Sequence, residues 1–337
     1  MYKLSLLKKS LLVLMLSSML TSCETKENIP TQTRVKLLVK SMLKEMVYVK
    51  GGSFGMGNYT EKQEMLAHLP KNVREYMDSK EAKDQHFFFM FDGYEQPRHK
   101  VTLSGYNIAK FETSWGEFDL YTQAEKLPFV KPALKKRAFR RRLANKSANL
   151  GWHQADRYCK WLAKVSGLPF ALPTEAQWEY AATNRGEYIP YGTDTGYWQR
   201  GVNVYSEKEE EKGEDVMSAK DTKYPPNPLG IYHLADSMSE WTSDWFTNYT
   251  KEAKVNPKGP KMGTQKTFRG ACWDGSPQHS SNWSRYPQDI LLSDNTMKDR
   301  SDNQKPTRED ADDMGVGVRC VLNLDRPITQ KDIDGVK

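Results

Sequence analysis

The feature that most constrains this chain is where its helical periodicity stops. Up to Ala182 several runs read as helices, whereas beyond it Gly, Pro, Asn, Asp, Trp and Tyr dominate and little regular helix is expected. The sharpest run is Leu172-Pro173-Thr174-Glu175-Ala176-Gln177-Trp178-Glu179-Tyr180-Ala181-Ala182. It offers Thr174 as N-cap after a proline and buries Trp178 with Ala181 or Ala182. Before it, Trp152 to Val165 sets Ala155, Tyr158, Cys159 and Leu162 at helical spacing, and Gly167-Leu168-Pro169 ends it, so Cys159 is expected to face the core. A second half this irregular needs cross-links or ions to hold it.

Elsewhere the period is two. Met46 to Gly57 alternates apolar residues and then breaks on glycines, as a short strand entering tight turns does. His99 to Ala109 alternates again, and Thr113 is placed to cap a helix through Glu117, Phe118 and Tyr121. Between these, Glu61 to Tyr94 turns charged and reads as an insertion, with a short helix over Glu64 to Tyr76 and an aromatic run, Phe87 to Phe91, expected as a buried strand. The basic residues Lys135, Lys136, Arg137, Arg140, Arg141 and Arg142 read as a solvated helix face or loop. Further charged loops run over Ser206 to Asp215 and Ser293 to Asp313.

The 337 residues are enough for one large domain or two small ones, but the first residues stand apart. Lys3, Lys8 and Lys9 precede an apolar run, Leu11 to Met19, that is too short to span a bilayer and reads as a secretory signal. It ends in Leu20-Thr21-Ser22-Cys23, which resembles the lipobox of bacterial lipoproteins, so residues 1–22 are expected to be removed and Cys23 to be lipidated. Acyl chains there attach the chain to a membrane without a spanning helix. Residues 23–43 are expected to form a tether. Glu24, rather than an aspartate, favours the outer over the inner membrane. The formal charge of +7 falls once the signal lysines go, and the remaining basic residues are interleaved with acidic ones, so no nucleic-acid footprint is seen. Cys159, Cys272 and Cys320 remain for a compartment where disulfides persist, enough for a pair and a leftover.

Taken in order, Met46 to Gly57, Glu95 to Thr113, Leu172 to Ala182, Asn227 to Tyr232, Glu240-Trp241, Arg269-Gly270-Ala271-Cys272-Trp273 and Gly315 to Cys320 resemble the signatures of the sulfatase-modifying factor, or formylglycine-generating enzyme, family. The resemblance covers residues 46 to 322. It implies an α+β domain over 44–323, irregular and sparse in secondary structure like a C-type lectin, with insertions near 59–94 and 206–215 and a C-terminal tail over 324–337.

The same resemblance implies a disulfide between Cys159 and Cys320. The family enzyme oxidises a substrate cysteine on a copper ion held by two cysteines, since thiolates and Cu(I) are both soft. Here Gly275 and Ser280 stand at those positions, so copper is not expected; Cys272, where the family usually has serine, is the candidate for a relocated ligand. The iron-dependent branch takes histidines from an extra helical domain, and His68, His86, His99, His153, His233 and His279 form no ligand-spaced set. Calcium is implied at two sites. The first maps to Asn203, the Val204 and Tyr224 carbonyls, and Thr222 with Asp221 beside it. The second keeps Glu240 but puts His233 at the first side-chain ligand position and replaces Gly and Asn by Asp236 and Ser237, which argues against calcium there. Arg319 and Trp273 are expected to be structural.

Three functions follow as expectations. The first is a non-catalytic lipoprotein scaffold of the gliding or secretion type, holding envelope protein partners at a membrane. The second is a divergent oxidase built on Cys272, or an enzyme that modifies a small molecule. The third is a lectin-like module stacking glycans on Trp152, Trp198, Trp245, Trp273 or Trp283, although most of these tryptophans are expected in the core.

Overall fold

The helix announced by the Leu172 to Ala182 run sits at the centre of the molecule. In the computed structural model, which describes residues 29–80, 82, 93–136, 142–212, 218–271, 277, 279–290 and 316–336, the chain runs as helix α1 (Thr31–Lys44), strands β1 (Met46–Val49) and β2 (Gly52–Met56), and helices α2 (Lys62–His68) and α3 (Lys71–Asp78). Strands β3 (His99–Leu103) and β4 (Tyr106–Ala109) lead into helices α4 (Trp115–Ala124), α5 (Pro132–Lys136) and α6 (Trp152–Ser166). Strand β5 (Phe170–Ala171) and the central helix α7 (Glu175–Ala182) follow. Beyond Ala182 the described helices are short, α8 (Glu207–Glu211) and α9 (Gln330–Asp334), among strands β6 (Ser239–Trp245), β7 (Lys254–Val255), β8 (Gln265–Gly270), β9 (Arg285–Asp289), β10 (Val316–Gly317) and β11 (Val321–Leu322). This is an α+β fold with an irregular second half.

Three small sheets surround α7, in strand orders β1-β4-β11-β5, β10-β6-β8-β9 and β2-β3-β7. The alternating Met46 to Gly57 run is not one strand: it bends at Lys50-Gly51, so that β1 pairs with β4 while β2 pairs with β3 in another sheet. Only glycine fits at Gly51, because a Cβ there would lie 2.5 Å from the Leu103 carbonyl oxygen. The His99 to Ala109 run likewise divides into β3 and β4 at Ser104-Gly105.

The helix ends follow local chemistry. At α7 the Thr174 hydroxyl accepts the Gln177 N–H at 3.1 Å while the Gln177 side chain accepts the Thr174 N–H at 2.9 Å, a reciprocal cap. α6 stops at Gly167, whose φ of 73° suits a residue without Cβ. The expected cap at Thr113 falls one residue later: Ser114 accepts from Glu117, and Glu117 returns the bond to the Ser114 N–H at 2.8 Å. The helix expected over Glu64 to Tyr76 is two, α2 and α3, because Pro70 cannot continue the first and starts the second. In the charged loop at 206, Ser206 and Glu209 cap α8.

Three expectations are corrected. Residues 31–43, placed in a tether, form most of α1, which buries Val35, Val39, Met42 and Leu43 against α4 and α9. The tail over 324–337 is not loose: Ile333 and Val336 join the same core as α1. Arg142 does not lie on a solvated face. It is buried over the Trp115 ring, 3.8 Å from its centroid, and grips Asp119 through Nη1 at 3.1 Å and Nη2 at 2.6 Å. The signal run, Cys23, Phe87 to Phe91, Cys272, Trp273, Gly275 and the loop at 293–313 lie outside the described residues. Among the described residues no helix is long and apolar enough to cross a membrane.

Candidate functional site

Helix α7 is buried on so many sides that its two acids, Glu175 and Glu179, lie in the core with its apolar residues. One turn apart, they present carboxylates to the same sheet. Arg269 on β8 reaches both, Nη1 to Glu175 Oε1 at 2.7 Å and Nη2 to Glu179 Oε2 at 2.6 Å. Arg285 on β9 takes Glu175 in a fork, Nε to Oε1 at 2.6 Å and Nη2 to Oε2 at 2.7 Å. Its guanidinium lies 3.8 Å from the centroid of the Tyr249 ring. The remaining Glu179 oxygen accepts the Gly57 N–H at 2.7 Å, which fastens the turn after β2 to α7. Buried charges persist only when paired and hydrogen-bonded. This network therefore holds the β6–β8–β9 sheet to the central helix.

A second network surrounds the loop between Tyr232 and β6. Glu240 is held by Arg319, with Nε at 2.9 and 3.0 Å and Nη2 at 2.7 Å, and its Oε2 also accepts the Trp178 indole N–H at 2.8 Å. The other Arg319 donors reach the Ala109 and Tyr232 carbonyls at 2.9 and 2.7 Å. His233 Nδ1 faces Asp236 Oδ1 and its Nε2 faces the Asp221 carbonyl, each at 3.0 Å. Burial works against a charge on His233, but the charge and hydrogen bond of Asp236 outweigh it and raise the imidazole to about 9. Close by, Glu112 accepts the Ser147 hydroxyl and, at 2.9 Å, that of Ser237. Burial first, then the charge of Glu240, raises the Glu112 carboxyl to about 7.

The pairing expected of Cys159 and Cys320 is present: they are joined, with Cα atoms 5.8 Å apart and a separation of 161 positions in sequence. Ser280 is fully buried and offers a hydroxyl where a copper site of this kind needs a thiolate, so the donor does not fit copper. Around the first calcium position, Asn203 is buried. Its carbonyl oxygen accepts the Gln199 N–H at 2.8 Å, and its amide nitrogen reaches Asp194 and Thr195. The Val204 carbonyl accepts the Gly201 N–H at 2.8 Å, and Tyr224 packs on Tyr205. Thr222 is exposed, and the Asp221 carboxylate takes the Lys223 N–H at 2.8 Å. The Asn203 and Val204 oxygens thus each already accept a backbone N–H, and the Asp221 carboxylate is turned back on its own chain. At the second position Glu240 is fully engaged by Arg319 and Trp178, and that donor set does not fit calcium. Among the described residues no three His, Cys, Asp or Glu side chains converge on one point.

Trp198 and Trp283 are fully buried. Trp152 and Trp245 enclose the Lys266 ammonium, 4.0 and 3.9 Å from their centroids, so their inner faces already hold a cation. Sequence reasoning missed Glu175, Glu179, Arg269, Arg285 and Glu112. The available signal was two acids one turn apart on a helix whose other residues, Gln177 apart, are apolar or aromatic; the largely polar strands that carry Arg269 and Arg285 gave none.

Residues 31–324 match the family described as Sulfatase-modifying factor enzyme 1-like domain. The serine/threonine-protein kinase pkn1 of Chlamydia pneumoniae is 25% identical over 239 residues, 69% of this chain and 33% of that protein. The mouse inactive C-alpha-formylglycine-generating enzyme 2 is 25% identical over 314 residues, 84% of this chain and 87% of its own length. This chain thus spans about a third of the kinase-named relative, and likewise 34% of the bovine formylglycine-generating enzyme. Among solved structures, PvdO from Pseudomonas aeruginosa superposes with a TM-score of 0.52 at 19% identity, over 83% of this chain and 94% of PvdO, a likeness of fold. The sequence signatures, the α+β architecture and the match over 31–324 agree: the chain belongs to the sulfatase-modifying factor enzyme 1-like family.

Proposed function

We propose that this chain is a non-catalytic member of its family, lipid-anchored through Cys23 in the cell envelope, on the outer rather than the inner membrane, where it holds protein partners. The observation that carries this reading is the exchange of both copper-binding cysteines of the family for Gly275 and Ser280, which leaves no thiolate pair for oxygen activation. A relative named as inactive, matched over 84% of this chain, supports it. So does the composition of the first residues, a basic start and a short apolar run ending at a cysteine. The core is built for rigidity, with buried arginine–glutamate pairs and a disulfide, as suits a platform whose surface loops carry the specificity. Calcium at Asn203, Val204, Asp221, Thr222 and Tyr224 is part of this reading, as an aid to loop order.

The test loads the full chain, in detergent, with Cu(I) under anaerobic conditions and measures bound metal together with intact mass after thiol alkylation. The expected result is no stoichiometric copper, a protected Cys159–Cys320 pair, a reactive Cys272 and a lipid-sized mass increment on Cys23. Tight copper that disappears in Cys272→Ser would replace this reading with a divergent oxidase.

A further inference from the structure

We propose that the His233–Asp236 pair has taken the place of a calcium ion in the loop over 233–240, so that this loop is held by an internal cation instead of a divalent metal. Both ring nitrogens of His233 face acceptors at 3.0 Å, a carboxylate oxygen of Asp236 and the carbonyl oxygen of Asp221. A neutral imidazole donates from only one nitrogen, so two acceptors are satisfied together only by the doubly protonated ring. The side chain is only 2% exposed, so the two nitrogens face these protein acceptors and not bulk water. His233 thus does what a loop calcium does: it draws a carboxylate and a backbone carbonyl from separate turns onto one positive centre.

The remaining groups leave no role for a divalent ion. His233 has no lone pair free to ligate one. Glu240 has both oxygens occupied by Arg319 and Trp178. Asp236 and Glu240 are matched one to one by His233 and Arg319, so the loop carries no surplus negative charge from these four residues. Asp236 Oδ2 and, on the neighbouring Glu112 that Ser237 contacts, Oε1 are buried without a hydrogen-bond partner, but two oxygens are far short of the roughly six to eight that calcium takes. The backbone agrees with a loop shaped around this pair: His233 and Ser237 both adopt left-handed conformations, with φ of 63° and 67°, that a side chain tolerates only when its contacts fix it there.

The experiment counts calcium bound to the full chain by equilibrium dialysis and follows its Tm in excess calcium and in excess chelator. The comparison is with His233→Asp/Asp236→Gly, which removes the pair and restores the family's residues at these two positions, Ser237 being left unchanged. The double variant is expected to take up about one calcium ion more than the parent, to melt below the parent in chelator and to recover on adding calcium. Because a double change in a buried loop risks misfolding, His233→Gln is measured beside it; its amide keeps the volume and loses the charge. It is expected to melt below the parent by the same amount with and without calcium. Equal calcium stoichiometry in the parent and a folded double variant, or a His233→Gln chain as stable as the parent, would overturn the proposal. So would a parent that loses a bound ion on His233→Gln.

Discussion

Asp244 accepts the backbone N–H of Glu175 at 3.0 Å, and the two buried acids joined by this bond are driven in opposite directions. Burial alone would raise Glu175, but Arg285 and then Arg269 outweigh it and hold the carboxyl near 2. Asp244 has no such partner; burial and the adjacent charge of Glu175 push it up to about 7. The signs of their contributions to stability therefore differ. Glu175 stabilises the fold above its ordinary pKa of 4.5, and that contribution is lost as pH falls toward 2. Asp244 favours the fold while protonated, and this is lost as pH rises from 3.8 through about 7.

It follows that Asp244→Asn should remove Asp244's share of the decline in stability between about pH 4 and pH 7, leaving the share of Glu112, also raised to about 7, and the acid limb in place. The amide oxygen can still accept the Glu175 N–H, and the gain at neutral pH is at most about 4 kcal/mol. Urea unfolding at intervals across this range measures it. A variant with the parent's slope would show that Asp244 is ionised in the folded chain.

Arg319 and Glu240 behave as one unit. Arg319→Met strands a buried carboxylate and is expected to cost about 3–5 kcal/mol, whereas Arg319→Met with Glu240→Gln should cost much less than the two single changes combined. A double-mutant cycle on denaturant midpoints gives the coupling. Additive losses would mean that the two side chains act through packing alone.

What could be read in the sequence was local. The Thr174 cap, the Gly167 stop and the core-facing Cys159 each rest on neighbours within a few residues, and all three appear in the fold. Partners distant in sequence could not be read. Arg142 looked solvated because nothing in a basic run points to Asp119, 23 residues earlier. Glu175 and Glu179 meet Arg285 and Arg269 across 110 and 90 residues. Helix α1 is a different failure. Val35, Val39, Met42 and Leu43 fall at helical spacing, but their lysine-rich setting beside the apolar start read as a tether. The candidate site was legible as departures from a family pattern at His233, Asp236, Gly275 and Ser280; that His233 and Asp236 bond to each other required the left-handed turn to be seen.

The disulfide joins cysteines 161 positions apart and ties α6 to the segment before β11. Reducing it, or making Cys159→Ser/Cys320→Ser, should lower stability by about 2–5 kcal/mol, chiefly by freeing the unfolded chain. The check is the urea midpoint with and without reductant. In the double serine variant the midpoint should no longer respond to reductant; a continuing response would assign the effect to another thiol.

Helix α1 decides where the folding unit begins. Val35, Val39, Met42 and Leu43 line one face in contact with α4 and α9, while Leu37 on the other face is 54% exposed. Fully burying an aliphatic side chain contributes roughly 1.5–3 kcal/mol, so four of them rival the about 5–15 kcal/mol that holds a whole domain together. A chain starting at residue 45 is therefore expected to be unfolded or aggregated, and one starting at residue 29 to fold. In the full-length protein, Val39→Asp should cost more than about 3 kcal/mol, because the carboxylate is buried without a partner, while Leu37→Asp should fall within about 0.5 kcal/mol of the parent. Circular dichroism melts of these four chains test the helix directly. If the chain starting at residue 45 melts with the parent, α1 is a passenger on the surface, and the loss in Val39→Asp must come from exposing a charge to a core that does not need the helix.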